Sequence, residues 1–202
     1  MTKRVVCEHC FKAISACICK TIQSIDNQHF LHVLQDPSEE KKAIGTARIL
    51  DLSLQRSKTT VGEYFDPANF ILDNSYLVFP SEQAIPASEL AQRTQIDSNS
   101  QFILLDGSWK KAYKLLMSNP FLQALPKVAI DVDKKSAYRI RKSPREDGLS
   151  TVEAGYYLLA QLENDYAKFK PLLKSFEYMI DYQISKIPPE IYKLHYLDKL
   201  KD

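Results

Sequence analysis

The stretch Phe102-Ile103-Leu104-Leu105-Asp106-Gly107-Ser108-Trp109 decides the fold class. Its apolar half has the length of a buried strand, and it runs directly into an acid, a glycine, a hydroxyl and the only tryptophan of the chain. In an open α/β sheet, ligands bind beyond the carboxyl ends of the strands, so Asp106 stands where chemistry is usually done. The alternative is that Asp106 or Ser108 caps a helix beginning near Trp109, with the indole in the core.

Apolar segments of strand length recur on both sides of this stretch, and helical patterns separate them. Strands are predicted at 30–34, 59–62, 76–79, 102–105 and 128–132, and helices at 37–54, 87–92 and 110–117. Such alternation predicts an α/β fold, a mainly parallel sheet with flanking helices. Residues 151–187 are helical in character, with an expected break at Pro171 and a stop at Pro188-Pro189.

The helix predicted at 37–54 depends on a start signal. Asp36 suits the N-cap, Pro37 the first helical position, and Glu39 lies at capping-box spacing. One face of this helix then carries four apolar residues: Ile44, Ala47, Leu50 and Leu54.

Composition and charge narrow the class of protein. Of 202 residues, 45% are hydrophobic and 26% are charged, and no apolar run approaches the ~18–20 residues that cross a bilayer. Residues 1–20 contain no continuous apolar segment of the kind found in secretory signals. We therefore expect a soluble, cytoplasmic, globular protein that does not bind membranes.

Basic residues are concentrated in two segments, although the net charge is only +2. Residues 134–145 contain six basic residues and no acid, and residues 41–58 contain five against the single acid Asp51. The pattern predicts a face that binds a polyanion, and an ordinary solvated surface is the alternative. The candidate RNA-binding residues are Lys41, Lys42, Arg48, Arg139, Arg141, Lys142 and Arg145.

All four cysteines lie within 13 residues of the N-terminal region, as Cys7, Cys10, Cys17 and Cys19. Two such pairs can surround one tetrahedral zinc ion with four thiolates, and a closed shell of this kind is structural. A disulfide framework is the alternative, which a cytosolic location disfavours. We predict a zinc knuckle, with His9 as a bystander.

A second motif follows the basic run, where Ser150 and Glu153 have capping-box spacing. The helix start at this motif offers backbone N–H groups to an anion or a carboxylate. The five glycines form neither a Gly-x-Gly-x-x-Gly turn nor a Walker loop, so the usual phosphate cradles of nucleotide-binding folds are missing.

Six ordered blocks of the sequence together match one known family. The blocks are the four cysteines, Pro37-Ser38-Glu39 with Gly45-Thr46-Ala47, Leu77-Val78-Phe79-Pro80-Ser81-Glu82, Leu105-Asp106-Gly107-Ser108-Trp109, Tyr138-Arg139-Ile140-Arg141 and Leu149-Ser150-Thr151-Val152-Glu153-Ala154. In these blocks the chain resembles the DTW-domain family of tRNA-uridine aminocarboxypropyltransferases. Ser108 stands where the family usually has threonine, and Asp36 where it commonly has histidine.

The resemblance implies a fold related to the SPOUT methyltransferases, with a trefoil-knotted sheet that binds S-adenosylmethionine without glycine-rich loops. Together with the cysteine pattern and the stop at Pro188-Pro189, it predicts a zinc knuckle at 1–28, a catalytic domain at 29–187 and a C-terminal tail at 188–202. The implied reaction transfers the 3-amino-3-carboxypropyl group of S-adenosylmethionine to N3 of a tRNA uridine and releases 5′-methylthioadenosine. The expected partner is tRNA and not DNA, and the protein is expected to be a monomer or a homodimer.

The same resemblance guides the assignment of site residues. Asp106 is the expected general base for the uridine N3–H. Ser150, Thr151 and Glu153 are expected to hold the amino-acid tail of S-adenosylmethionine. The full set of cofactor-binding candidates is Phe79, Pro80, Ser81, Leu105, Gly107, Ser108, Trp109, Ser150, Thr151 and Glu153.

Two other functions remain open from the sequence. A SPOUT-like RNA methyltransferase keeps the fold and leaves S-adenosylhomocysteine instead. A non-catalytic zinc-knuckle adaptor that binds RNA explains the cysteines and the basic run, but it gives no reason for Asp106 at a strand end.

Overall fold

The computed structural model describes residues 5–93, 96–132, 148–188 and 190, and a six-stranded sheet lies at its centre. The strand order is β2-β1-β5-β3-β6-β4, and every neighbouring pair is parallel. The elements in chain order are β1 (Phe30–Gln35), α1 (Ala47–Ser53), β2 (Ser57–Val61), β3 (Ser75–Val78), β4 (Ile85–Pro86), α2 (Ala87–Leu90), β5 (Gln101–Asp106), α3 (Trp109–Ser118), α4 (Pro120–Ala124), β6 (Lys127–Ala129), α5 (Thr151–Leu162) and α6 (Tyr166–Ile184).

Helices cover both faces of the sheet, as parallel sheets require. On β5, Phe102 and Leu104 face a large core that also contains buried residues of α1, α2, α5 and α6. Ile103 faces the other side, where Leu116 of α3 and Leu122 of α4 complete a smaller core. Each such fully buried side chain contributes roughly 1.5–3 kcal/mol through the hydrophobic effect. The predicted α/β class with a mainly parallel sheet is confirmed.

The helix predicted at 37–54 is wrong in its first ten residues, because α1 begins only at Ala47. Asp36 does not cap a helix: its Oδ1 accepts the backbone N–H of Ser38, and successive short turns follow. The buried Lys12 donates its Nζ to the carbonyls of Ala43 and Gly45, at 2.8 and 3.1 Å. These carbonyls are therefore bound by a side chain from the N-terminal region rather than by a helical ladder.

The break in the C-terminal helical region is also not where the sequence predicted it. Pro171 lies inside α6, which continues through it at the cost of one backbone hydrogen bond. The chain turns instead at Asn164, whose φ of 50° is left-handed, and Asp165 then caps α6 by accepting the N–H of Lys168. The helix ends at Ile184, before the predicted stop at the two prolines.

Gly155 lets α5 lie close to the sheet. A Cβ at this position would come within 2.6 Å of Leu50 Cδ2 on α1 and within 3.4 Å of Leu31 Cδ2 on β1. The close packing fixes the first turn of α5 relative to the carboxyl ends of β1 and β5, where the candidate site lies.

The N-terminal cysteine segment packs against the same core, since Cys10 and Ile18 are buried in it. The division of the chain at residue 28 stays a prediction. The predicted knot is not tested, because residues 133–147 between β6 and α5 lie outside the described part of the chain, as does most of the predicted tail at 188–202.

Candidate active site

Asp106 is the last residue of β5, as the sequence predicted, and two side chains fix its carboxylate. Gln35 holds the same register position on β1, and its Nε2 donates to Oδ2 of Asp106 over 2.7 Å. The Thr151 hydroxyl, at the start of α5, donates to Oδ1. Because Asp106 is only 7% exposed, these donors hold the plane of the carboxylate in a largely buried position.

An apolar cavity of about 360 Å³ opens beside Asp106. It lies at the carboxyl ends of three neighbouring strands, β5, β3 and β6, where ligands bind in open α/β sheets. A mostly apolar cavity of this size suits a small-molecule ligand. Its lining residues are Val78, Phe79, Pro80, Leu104, Leu105, Gly107, Trp109, Ala112, Val128, Ala129, Ile130, Val132, Leu149, Thr151 and Ala154.

Six of the ten predicted cofactor-binding residues therefore line this cavity. They are Phe79, Pro80, Leu105, Gly107, Trp109 and Thr151. The rings of Phe79 and Trp109 meet edge to face with their centroids 6.1 Å apart, which gives the cavity an aromatic wall.

A smaller cavity of about 200 Å³ adjoins the apolar one. We call it the polar cavity because its lining includes charged and hydroxyl-bearing residues: Glu39, Lys42, Asp106, Thr46, Ser108 and Thr151. Gly107 and Thr151 border both cavities, and Asp106 lines the polar one together with the predicted residue Ser108. An outer groove continues from Phe79, Pro80 and Trp109 to Ser81, which the sequence also placed in the site.

Gly107 is needed for a close approach rather than for a left-handed backbone, since no glycine of the described residues has a positive φ. A Cβ on Gly107 would lie 2.8 Å from Cβ of Lys111, one turn into α3. The glycine lets β5 turn directly into α3. Ser108 takes the N-cap position of that helix without making a side-chain capping bond.

Ser150 and Glu153 form the capping box that their spacing predicted. Glu153 Oε2 accepts the N–H and the hydroxyl of Ser150 at 2.8 and 2.7 Å, and both residues are buried. Neither lines the apolar or the polar cavity, so their assignment to cofactor binding stays a prediction.

The four cysteines meet at one point, with their sulfurs all within 4.8 Å of one another. Cys7 Sγ lies 3.7 Å from Cys19 Sγ, and Cys10 Sγ lies 3.8 Å from Cys17 Sγ. A tetrahedral site with Zn–S bonds of about 2.3 Å separates its sulfurs by about 3.8 Å, whereas a disulfide needs about 2.05 Å. The cluster can hold a metal ion, and its spacing fits zinc.

Without a cation, the thiols of Cys7 and Cys19 do not ionise over the same range of pH. Backbone hydrogen bonds from Cys10 and His9 lower the pKa of Cys7 to about 6, whereas burial and the neighbouring thiols raise the pKa of Cys19 to about 12. A divalent ion would supply the positive charge that four adjacent thiolates need.

The structure describes three of the seven predicted RNA-binding residues. Lys41 and Lys42 are exposed, and Lys42 pairs with Glu39 over 2.8 Å. The Arg48 guanidinium lies over the Phe11 ring, pairs with Asp51 and donates to the His9 carbonyl, so it ties the cysteine segment to α1. The other four, Arg139, Arg141, Lys142 and Arg145, lie outside the described residues. All seven assignments stay predictions.

Sequence reasoning missed Gln35 and the charged wall of the polar cavity. Gln35 ends an apolar strand as Asp106 does, which is the one local signal that could have identified it. The spacing of Glu39 from Asp36 predicts a helix cap, but Glu39 lines the polar cavity because the helix begins later.

Among the residues that the structure describes, no helix combines the length and the apolar character that crossing a bilayer requires.

A family model described as the DTW domain matches residues 4–184. The protein named tRNA-uridine aminocarboxypropyltransferase 2 of Drosophila melanogaster is 29% identical over 196 residues, which cover 90% of this chain and 76% of the relative. Proteins of the same name from Mus musculus and Macaca fascicularis are 24% and 23% identical over 193 residues. The chain spans 64% of the length of these two relatives. No solved structure matches the chain.

Proposed function

The chain belongs to the DTW-domain family, and from this premise we propose that it transfers the 3-amino-3-carboxypropyl group of S-adenosylmethionine to N3 of a tRNA uridine. The relatives carry the name of this activity. The observation that carries the proposal to this chain is the position of Asp106, whose polar cavity shares Gly107 and Thr151 with an apolar cavity at the same sheet edge.

The two cavities suit the two halves of the cosubstrate. The adenosine and the sulfonium methyl group bind in the apolar cavity, against the aromatic wall of Phe79 and Trp109. Aromatic and apolar side chains suit a purine ring. The amino-acid half would lie in the polar cavity, whose lining includes Gly107 and Asp106, so that the γ-carbon would be near the Asp106 carboxylate.

The transfer is a displacement at that γ-carbon. The Asp106 carboxylate takes the N3 proton of the uridine, N3 forms a bond to the γ-carbon, and the carbon–sulfur bond breaks. The electron pair of that bond stays on sulfur, so the positive sulfonium becomes neutral 5′-methylthioadenosine. Gln35 and Thr151 keep the carboxylate oriented during the step.

The remaining parts of the proposal follow from the sequence. One zinc ion binds the four cysteines, tRNA is the partner, and the protein acts in the cytoplasm as a monomer or a homodimer. The basic residues between 134 and 145 contact tRNA phosphates.

The test is product analysis with unmodified tRNA and S-adenosylmethionine labelled on the carboxyl carbon or, in a parallel reaction, on the methyl group. The proposal expects the carboxyl label in a modified uridine and the methyl label in 5′-methylthioadenosine. Methyl label in the tRNA together with S-adenosylhomocysteine would identify a methyltransferase instead. Binding of tRNA without transfer of either label would favour the RNA-binding adaptor.

A further inference from the structure

The polar cavity beside Asp106 carries charges of both signs. Its lining includes the carboxylates of Glu39 and Asp106 and the ammonium of Lys42. The apolar cavity, by contrast, is lined without any charged residue among those described. A ligand that spans both cavities therefore has one part that packs against apolar and aromatic side chains and one part whose charged groups pair with charged side chains.

Glu39 is a fixed, partly buried carboxylate in this wall. Its side chain is 12% exposed, and its Oε1 accepts both Lys42 Nζ and Lys111 Nζ at 2.8 Å. Burial alone would raise the pKa of Glu39, but the bonds from the two lysines outweigh it and keep that pKa below its ordinary value. Glu39 is therefore an anion that can accept a further donor from the cavity.

The opposite charge comes from Lys42 and from the start of α3. Ser108 lines the cavity at the N-cap position of this ten-residue helix and makes no side-chain capping bond. Backbone N–H groups and the helix dipole at such an end attract a carboxylate. The cavity thus offers partners for an ammonium group and for a carboxylate side by side.

We infer that the polar cavity binds the α-amino and α-carboxylate groups of S-adenosylmethionine: Glu39 accepts a hydrogen bond from the ammonium, and Lys42 and the backbone N–H groups of the α3 N-terminus donate to the carboxylate. The inference rests on the proposed function and deepens it. If both ends of the cosubstrate were held, one in each cavity, the γ-carbon would lie between them near Gly107 and could be presented to the nucleophile in place of the methyl group. Glu39 is thereby a positioning residue for the γ-carbon.

The inference replaces the tail-binding role that the sequence suggested for Glu153. Oε2 of Glu153 already accepts two hydrogen bonds from Ser150 in the capping box, and Glu153 does not line the polar cavity. Glu39 lines it. Tail binding by Glu39 and tail binding by Glu153 therefore predict different results in the same binding experiment.

Calorimetry with S-adenosylmethionine and with 5′-methylthioadenosine tests the inference, because the second ligand lacks the amino-acid group. In Glu39→Gln, the Kd for S-adenosylmethionine should rise about 10- to 100-fold, the usual effect of losing a charged hydrogen bond. The Kd for 5′-methylthioadenosine should not change. Glu63→Gln is the matched control, since Glu63 pairs with Lys114 of the same helix α3 at 2.8 Å but lines neither cavity.

The other outcomes separate the two hypotheses. If the wild-type protein binds S-adenosylmethionine and Glu39→Gln weakens both ligands equally or neither, the inference is overturned while the proposed function stands. A selective loss in Glu153→Gln instead of Glu39→Gln overturns it as well, and glutamine at that position preserves the capping box. If the wild-type protein binds neither ligand, the proposed function fails and the inference fails with it.

Discussion

Gln35 and Asp106 face each other as the last residues of two parallel strands, and the Gln35 amide donates to the Asp106 carboxylate over 2.7 Å. Both side chains are buried, at 7% exposure each. The parallel register therefore sets the orientation of the proposed base, because β1 and β5 end at the same level of the sheet. Five predictions follow from this arrangement and from the other features of the molecule.

Asp106→Asn should lower the single-turnover rate by ~10²–10⁴-fold, because a positioned base is lost from a nearly unchanged shape. The Kd for S-adenosylmethionine should stay the same. Part of the rate should return at higher pH, where uridine N3 ionises without help. Rapid-quench kinetics across pH measures this, and joint loss of cosubstrate binding and of Tm would show that Asp106 is structural.

Gln35→Met should slow the single turnover by roughly 10- to 100-fold with cosubstrate affinity unchanged, because the carboxylate loses the donor that orients it. A double-mutant cycle measures the coupling. In the Asp106→Asn background, Gln35→Met should have little further effect, since the group it orients is already gone. Independent effects of the two substitutions on the rate would contradict a positioning role.

The purified protein should contain one zinc ion per chain, because four thiolates close a tetrahedral shell. Cys7→Ser should lower the free energy of unfolding by on the order of 3 kcal/mol, or ~10 °C in Tm. Elemental analysis and thermal denaturation check both points. Absence of zinc near one equivalent from protein prepared under reducing, chelator-free conditions would refute the site.

Replacing Arg141 and Lys142 by alanine should raise KM for tRNA and flatten the salt dependence of binding. Each lost phosphate contact removes roughly 0.7–0.9 from the slope of log K against log salt concentration. The double replacement of Lys170 and Lys174, two exposed lysines of α6, removes the same charge elsewhere and serves as the control. Equal slopes for the wild-type protein and the Arg141/Lys142 variant would mean that the run is only a solvated surface.

Acid should destabilise the protein through His32, a buried side chain that stacks on Phe70 and contacts Thr60 and Gln101. Burial, helped by the charge of Lys58, lowers the pKa of His32 from 6.5 to about 4. His32 therefore binds a proton more tightly in the unfolded chain than in the folded one. The stability that comes from burying the neutral imidazole is fully present above about pH 6.5 and is lost as the pH falls toward 4.

Urea denaturation across that range should show the free energy of unfolding falling by on the order of 1–3 kcal/mol. His32→Gln should flatten the slope, and His9→Gln, at an exposed position, controls for the loss of a histidine. A slope that His32→Gln leaves unchanged would assign the acid sensitivity to other groups.

Those parts of the site that are formed by residues close together in the chain could be predicted from the sequence. The strand that ends at Asp106, the capping box of Ser150 and Glu153 and the four-cysteine cluster all involve neighbours in the chain, and the structure contains each of them. The position of Glu39 in the cavity wall could not be predicted, because it depends on Lys12, 27 positions away in the chain. Lys12 binds the carbonyls of Ala43 and Gly45, which the predicted helix would have used for its own hydrogen bonds.

The sequence by itself determined the fold class and the fact that the site lies at the carboxyl ends of the strands. The hydrophobic period, the lengths of the strands and the signals that start and stop helices each involve residues close together in the chain, so they can be recognised in the sequence alone. Only the tertiary structure decided that Gln35 and Thr151 bind the Asp106 carboxylate and that Glu39 lines the same cavity. The two contacts depend on the parallel register of β1 and β5 and on how closely Gly155 lets α5 approach, whereas the position of Glu39 depends on the loop that Lys12 holds. Contacts between distant segments are fixed by packing, which no local pattern of residues encodes.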